Sequence, residues 1–244
     1  YTTKNTSYSY IYDNYGNVKS KTKDGATMYS CKWTKGNLLK QFTTNNTACE
    51  YFYNYKNIRY KKVVNGITTN YYLDGNKILG EDRSDGTRLR YFYDLDGLCG
   101  FRWNGTDYAY IKDGLGNIRG ITDDERDILA WYDYDLYGNT KVSNPDGTEN
   151  TDSSFIGNMN PFRWKSHYYD VESGLYNVDG RYYEIERCEY IDAMEADIIT
   201  ENAYQMLGLD RTGLMCLNAI LLISNEATIA TSIVLCTDPL YYNP

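Results

Sequence analysis

The stretch Tyr12-Asp13-Asn14-Tyr15-Gly16-Asn17-Val18 returns almost unchanged as Tyr134-Asp135-Leu136-Tyr137-Gly138-Asn139. Worn copies lie between: Trp33-Thr34-Lys35-Gly36-Asn37-Leu38, Leu73-Asp74-Gly75-Asn76, Tyr93-Asp94-Leu95-Asp96-Gly97-Leu98 and Asp113-Gly114-Leu115-Gly116-Asn117-Ile118. One more, Tyr53-Asn54-Tyr55-Lys56-Asn57-Ile58, has Lys56 where glycine is expected. Positions 16, 36, 56, 75, 97, 116 and 138 are separated by 20, 20, 19, 22, 19 and 22 residues. So narrow a period marks a repeat architecture.

The physics of one unit reads outward from that turn. Aromatics alternate before it, as in Tyr8/Tyr10/Tyr12, Tyr51/Tyr53/Tyr55, Tyr91/Tyr93, Tyr108/Tyr110 and Tyr132/Tyr134. Period two places each set on one face of a strand. In Asp-x-x-Gly-Asn the Asp accepts backbone N–H bonds and the Gly takes the positive φ that closes a bulged hairpin. A second turn follows about ten residues on, at Asp24-Gly25, Asn65-Gly66, Asp85-Gly86 and Asn104-Gly105. Each unit is therefore strand, turn, strand, turn. A unit this short cannot bury its own face, so units must stack. The expected fold is all-β: a long, twisted antiparallel sheet of repeated Tyr-Asp hairpins, with Gly16, Gly36, Gly75, Gly97, Gly116 and Gly138 as structural turn residues.

Composition agrees and excludes much else. The 244 residues hold 28 Tyr, 20 Gly and one His, which argues against a helical bundle and against His-based zinc sites and Ser-His-Asp triads, since His167 would have to carry them alone. His167 reads as a strand residue beside Tyr168, not a base. A net charge of −8 lacks the basic footprint that nucleic acid requires. Cys31, Cys49, Cys99, Cys188, Cys216 and Cys236 show no CxxC spacing and read as small apolar side chains, although a disulfide stays open. No cofactor or metal is called for: Asp123-Asp124-Glu125, the densest acidic cluster, reads as a solvated turn rather than a calcium cage. The chain opens at Tyr1 without Met or signal peptide, and we read it as a piece of a longer polypeptide.

The copies over residues 8–142 resemble the YD repeats of the Rhs family. Asn160-Pro161-Phe162-Arg163-Trp164, then Tyr168-Tyr169-Asp170-Val171-Glu172-Ser173-Gly174-Leu175-Tyr176 and Arg181-Tyr182-Tyr183, are similar to that family's Rhs-associated core segment. The resemblance implies YD repeats over 1–158, a core segment over 159–193, and a C-terminal tail or plug over 194–244. It implies a spiralling β-shell that encapsulates or displays a C-terminal toxin or effector, with that segment and neighbouring YD repeats of the parent chain as partners. It also implies a bacterial parent, secreted or at the cell surface. After Tyr183 the family's Asp-Pro is replaced by Glu184-Ile185. Its Asp-Pro-x-Gly-Leu cleavage pattern survives only as Asp210-Arg211-Thr212-Gly213-Leu214.

Two other readings compete with the shell. In aspartyl self-cleavage, two carboxylates share a proton, and Asp192, Asp197 and Asp210 are the candidates; turn and cap duty is the plainer role. In a carbohydrate-binding or adhesive module for cell-surface glycans, Trp33, Trp103 and Trp131, with Tyr15 and Tyr137, would stack on sugar rings while nearby Asp and Asn bond the hydroxyls; sheet packing is the plainer role. Residues 193–207 admit a short helix ending at Gly208. The apolar run 214–236 is interrupted by Asn218, Ser224, Asn225 and Glu226, so no membrane span is expected.

Overall fold

The computed structural model describes residues 7–194. Fourteen strands follow one another as an antiparallel meander, each bonded to its chain neighbours. They are β1 (Tyr8–Tyr12), β2 (Val18–Lys23), β3 (Ala26–Thr34), β4 (Leu38–Thr43), β5 (Ala48–Tyr53), β6 (Arg59–Val64) and β7 (Ile67–Asp74). The series continues with β8 (Lys77–Arg83), β9 (Arg88–Asp94), β10 (Gly97–Trp103), β11 (Thr106–Lys112), β12 (Ile118–Thr122), β13 (Ile128–Tyr134) and β14 (Thr140–Ser143). A short helix, α1 (Ile156–Met159), leads to a second antiparallel sheet of β15 (Tyr168–Asp170), β16 (Leu175–Val178), β17 (Arg181–Glu184) and β18 (Glu189–Tyr190). The expected helix over 193–207 and the run over 214–236 lie outside the described residues.

Two kinds of turn alternate unevenly. Asp24-Gly25, Asn65-Gly66 and Asn104-Gly105 have positive φ at both residues, the tight hairpin geometry that matches strand twist. Five-residue loops close elsewhere: in each, the first residue's N–H bonds the fifth residue's carbonyl, and the fourth bonds back to the first, as at Asp13–Asn17, Asp113–Asn117 and Asp135–Asn139. The fourth residue sits at φ +94 in Gly16, +80 in Gly116 and +90 in Gly138. Two more loops of this class carry no glycine there: Asn57 (φ +61) and Arg126 (φ +69) occupy it. Lys56, which the repeat count put in the glycine slot, is one residue early, because the loop opens at Asn54 and closes at Ile58. Asp123-Asp124-Glu125 is the opening of the Arg126 loop, and Asp85-Gly86 falls in a loop closed by Arg83 and Thr87 rather than in a two-residue hairpin. Gly36 (φ +90), Gly75 (φ +56) and Gly97 (φ +96) belong to shorter connections.

The strand after the Tyr-Asp turn is not a plain ladder. Register skips one residue in six of them, at Lys19, Lys40, Tyr60, Leu79, Cys99 and Arg119. Each skip is a β-bulge, so the inward-facing residues flanking it lie three apart instead of two. The inward pairs are Val18/Lys21, Leu39/Phe42, Arg59/Lys62, Ile78/Glu81, Leu98/Phe101 and Ile118/Ile121. A bulge also leaves a backbone carbonyl without its ladder partner, and the aromatic before the next turn supplies one. Tyr53 donates to Leu39 O at 2.8 Å, Tyr93 to Ile78 O at 2.9 Å and Tyr134 to Ile118 O at 2.6 Å. In the second unit the Trp33 indole N–H does the same to Val18 O at 2.8 Å.

Two changes test this account. Arg126→Gly should stabilise the fold by about 0.5–1 kcal/mol by relieving left-handed backbone strain, and Gly138→Val should cost about 2–4 kcal/mol. At Gly138 a Cβ would lie 2.8 Å from Trp164 as well as demand φ +90. Urea unfolding midpoints that move the other way would refute the turn assignment.

Candidate functional site: the seam between the repeat sheet and the core segment

The residues after β14 lie along the inner face of the large sheet, and the sequence explains how each is held. Asn160 is fully buried; it accepts a hydrogen bond from Tyr110 at 2.6 Å and donates to Tyr132 at 3.1 Å. Phe162 meets the Tyr91 and Tyr168 rings edge-on, with centroids 4.8 and 5.4 Å away. Trp164 covers Gly138 and stacks on Tyr183 at 5.6 Å. Asn-Pro-Phe-Arg-Trp is thus a run of anchors into the repeat sheet.

Charge fixes the middle of the seam. β6 presents Arg59 and Lys62 inward, and β15 presents Asp170, which has no exposed side-chain surface. Asp170 accepts from Arg59 Nη1 at 2.5 Å and from Lys62 Nζ at 2.9 Å, and Glu172 accepts from Lys62 at 2.6 Å. Four tyrosine rings (Tyr51, Tyr71, Tyr168 and Tyr182) surround the Arg59 guanidinium at 5.3–5.9 Å, a desolvated cation–π cage. Burial alone would raise the Asp170 carboxyl; Arg59 and Lys62 outweigh it and hold the group below the usual carboxylate range. Two atoms here, Arg59 Nη2 and Tyr51 Oη, are buried and have no hydrogen-bond partner among the described residues.

Two further charged contacts flank this one. Lys21 of β2 reaches Glu184 at 2.7 Å and Glu186 at 2.5 Å, and Tyr29 donates to Glu184 at 3.2 Å. Glu81 of β8, fully buried, accepts from Tyr91 at 2.5 Å, Tyr168 at 2.8 Å and Arg83 at 3.2 Å. The inward charges of the repeats therefore meet opposite charges or hydroxyls in the core segment.

Two Tyr-Asp turns grip the core segment's backbone in the same way. Asn17 Oδ1 accepts from Ala193 N at 2.7 Å, while Val18 N donates to Ile191 O at 2.8 Å. Asn117 Oδ1 accepts from Lys165 N at 2.9 Å, while Ile118 N donates to Arg163 O at 3.3 Å. In both turns the Asn side chain is oriented by its Asp, with Nδ2 2.8 Å from Asp13 in one and from Asp113 in the other. This use of the Asn was missed in the sequence, although the Gly-Asn spelling is sparse: it occurs where the grip occurs and at Gly36-Asn37, Gly75-Asn76, Gly138-Asn139 and Gly157-Asn158.

The sequence-predicted site residues do not converge. Asp192 is buried; its carboxylate accepts from Arg181 Nε at 2.7 Å and from the Tyr182 amide at 2.7 Å, and no second carboxylate is among its hydrogen-bond partners. Burial pushes the Asp192 carboxyl up, against the pull of Arg181. Asp197 and Asp210 lie outside the described residues. Trp33 and Trp103 pack against the two inner-face clusters. Trp131 faces the other way, its ring 3.0 Å from where a Cβ on Gly120 would stand. The three do not form one platform. Tyr15 is half-buried and Tyr137 is exposed. His167 stands one residue before β15, its imidazole pKa lowered by burial. Cys31, Cys49, Cys99 and Cys188 are free thiols, and burial pushes Cys49 up to about 12. Cys216 and Cys236 lie outside the described residues. Among the described residues no cluster of three or more His, Cys, Asp or Glu could hold a metal ion, and no helix is long and apolar enough to cross a membrane.

This architecture is an open wall of stacked Tyr-Asp hairpins with an ordered core segment keyed to one face. The chain is 31% identical over 214 residues to the tRNA3(Ser)-specific nuclease WapA of Bacillus spizizenii, a match covering 83% of this chain and 9% of that protein. The tRNA nuclease WapA of Bacillus subtilis strain 168 matches equally, at 31% over the same length. The chain thus spans about 9% of the length of these curated relatives. The crystal structure of TcdB2-TccC3-Cdc42 shares the fold with a TM-score of 0.55 at 14% identity, over 78% of this chain and 12% of that one. No protein-family model matches the chain. The chain belongs to the Rhs/YD-repeat family.

Asp170→Asn should cost about 3–5 kcal/mol, because it leaves Arg59 and Lys62 undercompensated in a dry site. The pH dependence has a definite sign. The folded-state pKa of Asp170 lies below the unfolded value of about 3.9, so its contribution is complete above that pH and is lost as pH falls through the folded value. Glu186, also lowered, first through its bond from Lys21, acts in the same direction; Asp192, raised by burial, opposes them. Urea titrations from pH 6 to pH 2 should show stability falling below about pH 4, with a shallower fall in Asp170→Asn.

Proposed function

We propose that this chain is part of the wall of an Rhs-type β-shell whose parent protein encapsulates or displays a C-terminal toxin or effector. The observation that carries the reading is the charged seam: the core segment covers the inner face of the repeats through Asp170, Glu172 and Glu184, so that face is an interior one. In this reading residues 1–158 form repeat wall, 159–193 form the keyed core segment, and 194–244 are a C-terminal tail or plug. The relatives named as tRNA nucleases support a parent that carries a nuclease as its toxin; a secreted or cell-surface parent is what the Rhs resemblance implies. The wall itself has a steric task, with no chemistry required of it. A glycan-binding role finds less support, since Trp33 and Trp103 are engaged in the sheet's inner packing.

The test uses the full-length parent protein. Its C-terminal portion should resist added protease while the wall is intact and become cleavable when Arg59→Ala and Asp170→Ala together loosen the seam. Equal digestion in both proteins would remove the shielding role. The mass of the same full-length protein reports on self-cleavage: a break just after Leu214 supports it, and a single intact species rejects it.

A further inference from the structure

The edge of the sheet that carries the Tyr-Asp turns is covered by core segment at two places and open between them. Ala193 sits on the first turn, and Lys165 and Ser166 sit on the turn at Gly116 and Asn117. Between these contacts lies a cleft of about 580 Å³, a size that suits a small molecule. Lys35, Lys56 and Lys77 line it from the β3–β4, β5–β6 and β7–β8 connections, and all three are exposed. Among the described residues no ion pair engages any of them. Lys35 Nζ donates instead to Asn57 Oδ1 at 3.1 Å, so the first ammonium leans toward the connection that carries the second. Arg59 stands two residues beyond Asn57 and also lines the cleft. Its side chain is only 4% exposed. Nη1 is engaged by Asp170, while Nη2 is buried and has no hydrogen-bond partner among the described residues.

We propose that this cleft binds a small phosphate monoester. Charge selects the phosphate. The other cations of the lining, Arg59 and Arg181, are already answered by Asp170 and Asp192. His167 also lines the cleft and is neutral, its pKa lowered by burial. The three lysine charges face one carboxylate, Asp179, which leaves two positive charges without a counter-charge. A phosphate monoester carries about 1.5–2 negative charges at pH 7, whereas a single carboxylate carries one. Geometry agrees. The lysines arrive from three separate connections as point charges on flexible stems, which suits the several oxygens of a tetrahedral group; a planar carboxylate is better met by a guanidinium fork. Arg59 adds a donor whose isolation is costly until an acceptor reaches it. The walls select the ester. Leu73, Ile78 and the Tyr93 ring line the same cleft, and Lys77 Nζ lies 5.4 Å from the Tyr93 centroid, so apolar surface adjoins the cations. Core segment stands at both ends of the open stretch, which favours a small ester over a long polyanion. The inference does not depend on the shell reading, since it concerns one cleft of one chain.

Calorimetry and phosphorus NMR titration of the whole 244-residue protein with phenyl phosphate are the direct test. Phenyl phosphate should bind about tenfold more tightly than inorganic phosphate, the comparison that separates an ester from the free anion, and benzoate should not displace it. The triple variant Lys35→Gln, Lys56→Gln, Lys77→Gln should weaken phenyl phosphate binding by about tenfold. Its urea midpoint should match that of the unaltered chain, because all three side chains are exposed. The proposal falls if millimolar phenyl phosphate gives neither heat nor shift, or if the triple variant binds it as well as the unaltered chain does. Equal displacement by benzoate overturns it too, since the cleft would then read charge alone. So does equal affinity for inorganic phosphate, since the apolar walls would then read nothing. A single-stranded RNA oligonucleotide that binds through the same lysines while phenyl phosphate does not would make the cleft a polyanion groove instead.

Discussion

A backbone carbonyl in a packed interior must have a partner, and this fold creates an orphan of that kind in unit after unit. The bulge that follows the Tyr-Asp turn removes a residue from the ladder, and the oxygen beside it faces the core. A long side chain with a polar tip and an apolar body can reach that oxygen without spoiling the packing. Tyr53, Tyr93 and Tyr134 do so, and Trp33 substitutes with its indole N–H. In these four units the aromatic before the turn is therefore a hydrogen-bond donor tying its unit to the one before it, while Leu73 and Lys112 hold that place in two others. Phe in its place would keep the ring and lose the tie.

The same bulge determines what the inner face can say. Because inward residues flank it at a spacing of three, each unit displays a pair of side chains close together. Three units display apolar pairs (Leu39/Phe42, Leu98/Phe101 and Ile118/Ile121) and feed the two hydrophobic clusters. Three display a charge (Lys21, Arg59 with Lys62, and Glu81), which is costly to bury unless answered. The core segment answers all of them: Glu184 for Lys21, Asp170 for Arg59 and Lys62, and the Tyr168 hydroxyl for Glu81. The seam is specific because a shifted core segment would strand buried charges.

The repeat, the turns and the single long sheet were legible in the sequence, because glycine at a fixed period and alternating tyrosines are local signals. The bulges were not, since Lys19, Leu79 and Cys99 share no side-chain feature that marks a skipped register. Without the bulge, period-two counting puts Lys21 and Lys62 on the outer face as ordinary solvated lysines, so the seam's charges stayed hidden. Asp170 and Glu172 were noticed only as letters of a family signature. Their partners lie 111 and 110 residues upstream, beyond any local pattern. The Trp and Asp candidates were chosen for chemical type, and the fold spends Trp33 on a carbonyl and Asp192 on Arg181 and a backbone amide.

The units look interchangeable and are not. Duplicating the hairpin between β6 and β8 would add two strand widths, about 10 Å, between the Arg59/Lys62 pair and Glu81. Tyr168 and Asp170, two residues apart on one strand, could then satisfy only one of the two. Gain or loss of a whole repeat, which leaves every local fold intact, is thus barred at that point of the wall. Lineages of this chain should keep the repeat count constant from β2 to β12, the span over which the core segment is keyed to the wall.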